Sequence, residues 1–147
     1  MTIPNLPSFV DIHQNVLNAL DSGTPIVALE STIITHGMPF PDNAEMASSV
    51  EALIYDYGVV PATIAVIDGR IKIGLTPDEL MQLAKVKNAL KISRADMAFA
   101  ISQGKTAGTT VAATMIIARM VGIRIFATGG IGGVHKGAET TFDISAD

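Results

Sequence analysis

Short apolar runs alternate with amphipathic segments along most of this chain, and this alternation constrains the fold more than any other feature. Residues 25–29 and 62–67 are nearly continuous apolar runs, which is typical of strands buried on both faces of a sheet. Residues 8–20, 44–57 and 76–88 carry apolar side chains at helical spacing. Strands that alternate with helices in this way predict an α/β fold, with three layers (α/β/α) around a mixed, mainly parallel sheet.

Turn and capping signals support several of these boundaries. Asp68-Gly69 predicts a hairpin turn after the 62–67 strand, with residues 70–74 returning as its partner. Residues 76–79, Thr-Pro-Asp-Glu, form a capping box with proline at the first helical position. Shorter patterns predict further strands over 90–93 and 123–128 and further helices over 96–103 and 109–121.

The first two helices have predicted caps and apolar faces. Ser8 is the expected N-cap of the first helix, and Asp42 or Asn43 that of the second. Residues three and four positions apart share a face of a helix. The faces predicted on this basis are Phe9, Ile12, Val16 and Leu20 in the first helix, and Met46, Val50, Leu53, Ile54 and Tyr57 in the second.

Composition excludes several classes of function. The net charge of −4 argues against a nucleic-acid-binding surface. Cysteine is absent, which excludes disulfides and thiolate metal sites. No apolar run is long enough to span a bilayer, and residues 1–5 lack the basic start of a signal peptide, so we expect a cytoplasmic protein without membrane contact. Hydrophobic residues make up 48% of the chain and charged ones 16%, which indicates a buried sheet or a covered apolar surface.

We expect residues 1–147 to form a single α/β domain, because this length supports one substantial core. The chain ends in a polar stretch after the 123–128 strand, without a closing helix or strand, whereas domains usually end with a docked element. We therefore expect the N-terminal portion of a longer domain, truncated at its C-terminus.

Glu30 is the most informative single residue. It directly follows the buried 25–29 strand, where loss of solvent raises the pKa of a carboxyl group and suits it to general acid catalysis near neutral pH. The alternative is a glutamate at the rim of the protein, hydrogen-bonded to the hydroxyls of Ser31 or Thr32.

Two glycine pairs follow the 123–128 strand and lead into a polar cluster. Gly129-Gly130 and Gly132-Gly133 allow backbone to approach a ligand, and α/β enzymes place sites after strands in this way. The alternative is a solvated surface connection. The polar residues beyond them could bind a divalent cation, and oxygen ligation with few histidines favours Mg²⁺ or Mn²⁺ over zinc, although their spacing forms no motif: His135, Glu139, Asp143 and Asp147.

Anion binding is the third type of site that the sequence offers. Residues 108–111 open a helix whose N-terminal amides attract phosphate or carboxylate, with ordinary capping by threonine as the alternative. Lys91, Ser93 and Arg94 at a strand end suit a phosphate monoester, with a solvated strand end as the alternative. Residues 104–106, Gly-Lys-Thr, do not complete a nucleotide-binding P-loop, because position 99 is phenylalanine.

The longer motifs resemble one family. The segments that carry the resemblance are residues 27–41, 60–65, 108–112, 126–135 and 141–147. They are similar to the pseudouridine-5′-phosphate glycosidases, also called the indigoidine-synthase-A-like family, and the similarity extends from about residue 8 to residue 147. The resemblance implies cleavage of the carbon–carbon glycosidic bond of pseudouridine 5′-phosphate to uracil and ribose 5-phosphate, by a homotrimer that uses Mn²⁺ or another divalent cation such as Mg²⁺.

The resemblance also implies roles for individual residues. Glu30 matches the proton donor, and Asp143 matches the metal ligand. The matched substrate contacts are Lys91, Val111, Ser145, Ala146 and Asp147. The family forms a Schiff base with ribose through a lysine in a motif beyond the position of Asp147, and this chain ends before that motif. We therefore expect the chain to be inactive alone. The alternative is a non-catalytic module that binds a sugar phosphate, a metal or a protein partner.

Overall fold

A computed structural model describes residues 6–134, 136–142 and 144–147. Its elements, in chain order, are β1 (Val10–Ile12), α1 (Gln14–Ser22), β2 (Ile26–Leu29), a π-helical turn (Ile33–Gly37), α2 (Asp42–Asp56), β3 (Val60–Ile67), β4 (Arg70–Ile73), α3 (Pro77–Lys85), β5 (Leu90–Ile92), α4 (Met97–Ser102), β6 (Ala107–Thr109), α5 (Val111–Met120), β7 (Ile125–Ala127) and α6 (Ala138–Thr141).

Strand β3 organises the sheet. Its first half pairs in parallel with β2, and its second half pairs antiparallel with both β4 and β6. The remaining pairs, β1 with β4, β2 with β7 and β5 with β6, are all parallel. The strand order is β1-β4-β3-β2-β7, so β7 lies at an edge of the sheet, and β5 is joined through β6. The predicted mixed, mainly parallel sheet is confirmed.

Helices cover both faces of this sheet. Alternate residues of a strand point to opposite faces, and β3 contributes Ile64 to one core and Ala65 to the other. The Ile64 core includes Val16 of α1 and Ile117 of α5. The Ala65 core includes Leu83 of α3, which is completely buried and so contributes about 1.5–3 kcal/mol by the hydrophobic effect. The three-layer α/β/α architecture is confirmed.

The predicted start of the first helix is wrong. Residues 10–12 form strand β1, which pairs with β4, and α1 begins only at Gln14, after the N-cap His13. Phe9 and Ile12 still pack against the core, but from the strand and the residue before it. The apolar spacing that suggests one long helical face therefore comes from a strand and a helix that cover the same core.

The predicted apolar face of α2 is wrong at Leu53 and Tyr57, whereas Met46 packs against the Ala65 core. The helix buries Asn43, Ala44 and Ala47, whereas Leu53 is 57% exposed and Tyr57 is 79% exposed. Asn43 does not cap the helix; its side-chain amide donates to the carbonyl oxygens of Ile34 and Ala84 at 2.7 and 2.9 Å. The small residues let α2 pack closely on the sheet, and Leu53 and Tyr57 point away from it.

Local signals in the middle of the chain are confirmed. The Thr76 hydroxyl accepts from the amide of Glu79, and the Glu79 carboxylate accepts from the amide of Thr76, which completes the capping box of α3. Asp68 and Gly69 both have positive φ and join β3 to β4 in a tight hairpin.

The hairpin turn at Asp68-Gly69 packs against the backbone of residues 101–105. The amide of Gly69 donates to the carbonyl of Lys105 at 3.0 Å. A Cβ on Gly69 would lie 2.7 Å from the carbonyl oxygen of Ile101 and 2.8 Å from the Cα of Gly104. Glycine is needed here both for φ and for space.

Across the residues that the structure describes, no helix has the length and apolar character needed to cross a membrane.

Candidate functional site

The carboxyl ends of β2 and β7 bring the first site residues together. The two strands are parallel neighbours, with Leu29 opposite Ala127. Glu30 and Thr128 therefore leave the sheet side by side, and the Thr128 hydroxyl donates a hydrogen bond to the Glu30 carboxylate.

The residue after Glu30 fixes the start of the π-helical turn. Ser31 is fully buried, and its hydroxyl accepts from the amide of Thr109 at 2.9 Å. Thr109 in turn donates through its hydroxyl to the carbonyl of Ile64 at 2.7 Å. This buried network ties β2, β3 and β6 together directly beside Glu30, so the position of the carboxylate is held by the sheet.

A cavity of about 490 Å³ opens at this edge of the sheet. Its walls come from the π-helical turn, the end of β5, the start of α5, the glycine loop after β7 and the last residues of the chain. The lining residues are Glu30, Thr32, Ile33, His36, Gly37, Met38, Lys91, Thr110, Gly129, Gly130, Ile131, Gly133, Val134, Ser145 and Asp147. Four predicted site residues, Glu30, Lys91, Ser145 and Asp147, thus share one cavity.

Glu30 has the environment expected of an acid. Burial raises the pKa of its carboxyl group, the hydrogen bond from Thr128 acts in the opposite direction, and the negative charge of Asp147 raises the pKa further. The net effect is a raised pKa, as predicted from the position of Glu30 after a buried strand.

Thr128 has one proton and two acceptors within reach. Its hydroxyl lies 2.9 Å from the carbonyl oxygen of Gly130, as well as against Glu30. An ionised Glu30 can only accept from Thr128, whereas a protonated Glu30 can donate to Thr128 and leave its proton for Gly130. Both protonation states of Glu30 are therefore compatible with a hydrogen bond at this position.

Asp147 occupies the N-terminus of α5. The amide of Ala112 donates to its carboxylate at 2.8 Å. Burial acts to raise the pKa of Asp147, but the bond from Ala112, the neighbouring hydroxyls of Thr110 and Ser145, and the amide of Val111 together lower it. The helix start attracts an anion as predicted, and here the anion is a carboxylate from the same chain.

Several buried hydroxyl oxygens at this site form no hydrogen bond of ordinary geometry among the described residues, although those of Thr110 and Ser145 interact with the Asp147 carboxylate. Thr32, Thr110 and Ser145 line the cavity, and Ser93 follows β5, the strand that carries Lys91. Buried polar groups are nearly always satisfied. The hydroxyls of Thr32, Thr110 and Ser145 therefore give this cavity a polar wall beside Asp147.

The other predicted site residues lie differently. Val111 is buried and Ala146 is exposed, and neither lines the cavity, although the amide of Val111 interacts with Asp147. Asp143, the predicted metal ligand, and His135 lie outside the described residues. Within the described part of the chain, no group of three or more histidine, aspartate or glutamate side chains is placed to hold a metal ion.

Sequence reasoning missed the π-helical turn and Thr128. The turn places His36 at the cavity, where its Nδ1 lies 2.7 Å from the hydroxyl of Thr35. Single π-helical turns are rare and occur often at functional sites. The sequence has no periodic pattern that predicts a π-helical turn. The change from apolar residues to Thr35-His36 is the one local feature that marks this position.

A second, apolar groove of about 260 Å³ lies on the other side of Glu30. Met46, Ala47 and Val50 of α2 form one wall, and Leu29, Ala127 and the start of the glycine loop form the other.

Comparison with known proteins identifies the family to which this chain is similar. The family model described as "Indigoidine synthase A like protein" matches residues 15–147. Pseudouridine-5′-phosphate glycosidase of Dinoroseobacter shibae is 73% identical over 143 residues, which cover 97% of this chain and 47% of that protein. The pseudouridine-5′-phosphate glycosidase of Mesorhizobium japonicum is 68% identical over 95% of this chain and 46% of its own length. The chain thus spans about half the length of these curated relatives.

Two solved structures are similar to the fold described above. The prealnumycin C-glycosynthase AlnA, in complex with ribulose 5-phosphate, matches with a TM-score of 0.78 and 39% identity, over 97% of this chain and 46% of AlnA. An indigoidine synthase A-like protein from Thermotoga maritima matches with a TM-score of 0.77 and 30% identity, over 92% of this chain and 45% of its own.

Proposed function

Because this chain belongs to the indigoidine synthase A-like family, we propose that its cavity forms the acid and sugar-phosphate part of a pseudouridine-5′-phosphate glycosidase site. The observation that carries the proposal is the convergence of Glu30, Lys91 and several hydroxyl groups in one cavity. The relatives with high identity are glycosidases of this phosphate, and AlnA binds ribulose 5-phosphate.

The chemistry explains why these groups are needed. Cleavage of a carbon–carbon glycosidic bond leaves a carbon atom of uracil that must receive a proton, and a buried carboxylic acid with a raised pKa can supply it. Lys91 and the hydroxyls of Thr32 and Ser145 would hold the phosphate and ribose oxygens. The cleavage also needs an electron sink, which we propose comes from a lysine located beyond the position of Asp147 in family-length chains.

The metal remains part of the proposal. Asp143 would contribute a carboxylate oxygen to Mn²⁺ or Mg²⁺, which are bound mainly by oxygen ligands, and the bound ion would stabilise negative charge on the substrate. The described residues do not supply a full ligand set, so we derive no step of the reaction through the metal. A homotrimeric assembly, a cytoplasmic location and the absence of nucleic-acid partners are also proposed, on the strength of the resemblance.

Titration with ribose 5-phosphate tests the sugar-phosphate site directly. We expect saturable binding that ribose alone does not reproduce, measured by calorimetry or by NMR shifts of cavity residues. Lys91→Met should weaken binding about 10-fold or more, because it removes a charge-assisted bond to phosphate. Lys105→Met is the matched control, since Lys105 is exposed outside the cavity. Equal affinity for ribose, or an unaffected Lys91 variant, would argue against the proposal.

A second candidate function is sugar-phosphate binding without turnover. The cavity and its hydroxyls support binding whether or not a nucleophile is supplied. A family-length form that binds ribose 5-phosphate but neither releases uracil nor forms a borohydride-trapped adduct with substrate would favour this function over glycosidase activity.

A further inference from the structure

We propose that His36 is a specificity-determining residue that contacts the uracil base of the substrate through Nε2, and that Thr35 and Gly108 are positioning residues that set the orientation of its ring. The inference rests on the function proposed above, because it concerns the base-binding side of the same cavity.

The first observation is the position of the π-helical turn relative to the acid. The turn begins at Ile33, three residues after Glu30, and both residues line the site cavity. In the proposed reaction Glu30 gives a proton to a carbon atom of uracil, so the base must lie within reach of that carboxyl group. A base in that place lies next to the turn that directly follows Glu30.

The second observation is how the cavity-lining side chains divide between elements. The end of β5, the start of α5 and the last residues of the chain supply polar groups: Lys91, Thr110, Ser145 and Asp147. The π-helical turn, the residue after it and the glycine loop supply large apolar groups: Ile33, Met38, Ile131 and Val134. A pyrimidine ring has apolar faces and a polar edge, and ligand sites combine apolar walls with a few polar groups that fix orientation. His36 lies between two of the apolar residues in sequence and supplies such a group.

The third observation is that the ring of His36 is held on one side. Its Nδ1 lies 2.7 Å from the hydroxyl oxygen of Thr35. The same hydroxyl lies 3.3 Å from the carbonyl oxygen of Ser31 and 3.4 Å from that of Thr32, so it is fixed to the start of the turn. Since Thr35 engages Nδ1, the substrate contact is assigned to Nε2, the nitrogen at the tip of the ring.

The fourth observation is the close approach of strand β6 to the turn. A Cβ on Gly108 would overlap the hydroxyl oxygen of Thr35 and would lie 3.0 Å from the carbonyl oxygen of Ser31. The backbone of β6 therefore lies directly against Thr35. A larger residue at position 108 would displace the Thr35 hydroxyl, and the ring of His36 with it.

The test measures the binding of two ligands to the 147-residue chain by calorimetry: pseudouridine 5′-phosphate, which carries the base, and ribose 5-phosphate, which does not. We expect His36→Asn to lower the affinity for pseudouridine 5′-phosphate about 10-fold, the effect of losing one hydrogen bond, and to change the affinity for ribose 5-phosphate by about 2-fold or less. An asparagine amide reaches the position of Nδ1 but not that of Nε2, whereas a glutamine amide reaches Nε2. His36→Gln should therefore recover most of the affinity.

His13→Asn is the matched control. His13 caps α1 and lies outside the cavity, and asparagine is among the best N-cap residues, so neither affinity should change.

The positioning residues are tested by the same pair of ligands. Thr35→Val removes the hydroxyl and should reproduce the loss that is selective for pseudouridine 5′-phosphate, whereas Thr35→Ser keeps the hydroxyl and should not. Gly108→Ala should also give the selective loss. Its effect should be smaller when Thr35→Ala is already present, because the oxygen atom that it displaces is then absent.

Two kinds of result would overturn the inference and leave the sugar-phosphate site in place. One is an unchanged affinity of His36→Asn for pseudouridine 5′-phosphate, and the other is an equal loss for both ligands in the His36 or Thr35 variants. A failure of Thr35→Ser to bind better than Thr35→Val would remove the positioning role of Thr35. A parent chain that binds neither ligand would refute the proposed function and this inference together.

Discussion

The hydroxyl of Thr128 donates a hydrogen bond to the carboxylate of Glu30, a residue 98 positions earlier in the chain. The bond exists because β2 and β7 are parallel neighbours in the sheet and end at the same edge. It connects the proposed acid to the glycine loop, since the Thr128 hydroxyl also lies within bonding distance of the Gly130 carbonyl. The acid and the loop are therefore positioned as one unit.

Replacing the proposed acid should remove catalysis without unfolding the protein. In a family-length form, we expect Glu30→Gln to lower kcat for release of uracil by about 100-fold or more, the usual contribution of a positioned general acid. The fold should persist, because burial already disfavours the charged carboxylate and an amide of the same shape carries no charge. Uracil release and thermal melts measure the two effects. Near-normal kcat in the variant would exclude Glu30 as the acid.

Removing the Thr128 hydroxyl should shift the pH dependence of catalysis upwards. The bond from Thr128 lowers the pKa of Glu30, so Thr128→Val should raise that pKa. A proton donor is active when protonated, and activity therefore falls as pH rises through its pKa. The alkaline limb of kcat against pH should move to higher pH. Thr140→Val, at an exposed position in α6, is the control and should leave the limb unchanged.

Neutralising Asp147 should shift the same limb in the opposite direction. The charge of Asp147 raises the pKa of Glu30, so Asp147→Asn should lower it and move the alkaline limb to lower pH. The variant also loses a carboxylate that binds the start of α5, and KM for substrate should change as well. Shifts of equal sign in the Thr128 and Asp147 variants would contradict the electrostatic account of Glu30.

A second buried carboxyl group predicts how stability depends on pH. Burial raises the pKa of Glu51 on α2, against opposing effects of the Thr63 hydroxyl, 2.5 Å away, and of His13. The folded state therefore binds the proton more tightly than the unfolded state, whose pKa is near 4.5. Stability is fully retained below that value and falls as pH rises through the folded pKa. Glu51→Gln should raise Tm at pH 7 relative to the parent chain and should not raise it at pH 4.

The control for this prediction is Glu45→Gln, at an exposed position on the same helix. It should not raise Tm at pH 7, because Glu45 is in the first turn of α2, where a negative charge is favourable. A Glu51 variant whose Tm difference from the parent is the same at pH 4 and pH 7 would show that Glu51 is not responsible.

The 147-residue chain should not cleave pseudouridine 5′-phosphate alone. Lys91 is the lysine among the described residues that line the cavity, and its proposed role is to bind phosphate. An acid without an electron sink cannot break a carbon–carbon bond at a useful rate, so the loss should be close to total. Uracil release above a buffer control, or a substrate adduct trapped by borohydride, would refute this prediction.

Much of the fold could be predicted because its signals are local. The buried strand before Glu30, the Asp68-Gly69 turn and the capping box at Thr76 each depend on residues within a few positions, and each is confirmed. Strand β6 was missed, because three small residues carry no pattern and become a strand only through pairing with β3 and β5. Propensity is a weak guide where tertiary pairing decides the structure.

The type of acid at the site could be predicted from the sequence, but the contacts between the site residues could not. The direction of the pKa shift of Glu30 could be predicted from its position directly after a buried strand. The contacts of Glu30 with Thr128 and of Ala112 with Asp147 join residues 98 and 35 positions apart, and only the tertiary fold brings them together. The face of α2 was misjudged for a related reason. Its small residues pack on the sheet, whereas Leu53 and Tyr57 are exposed, and sequence periodicity alone does not distinguish such a surface from the core.

The packed turn at Gly69 has a consequence for protein engineering. Tips of hairpins are usually chosen for inserted tags, labels or new chain ends. Here the tip is held by the backbone around Gly104 and Lys105, so an insertion between residues 68 and 69 would separate β3 and β4 from α4. A Cβ on Gly23 or Gly58, by contrast, would have no other atom within 4 Å. Reporter peptides and circularly permuted termini belong in those two turns.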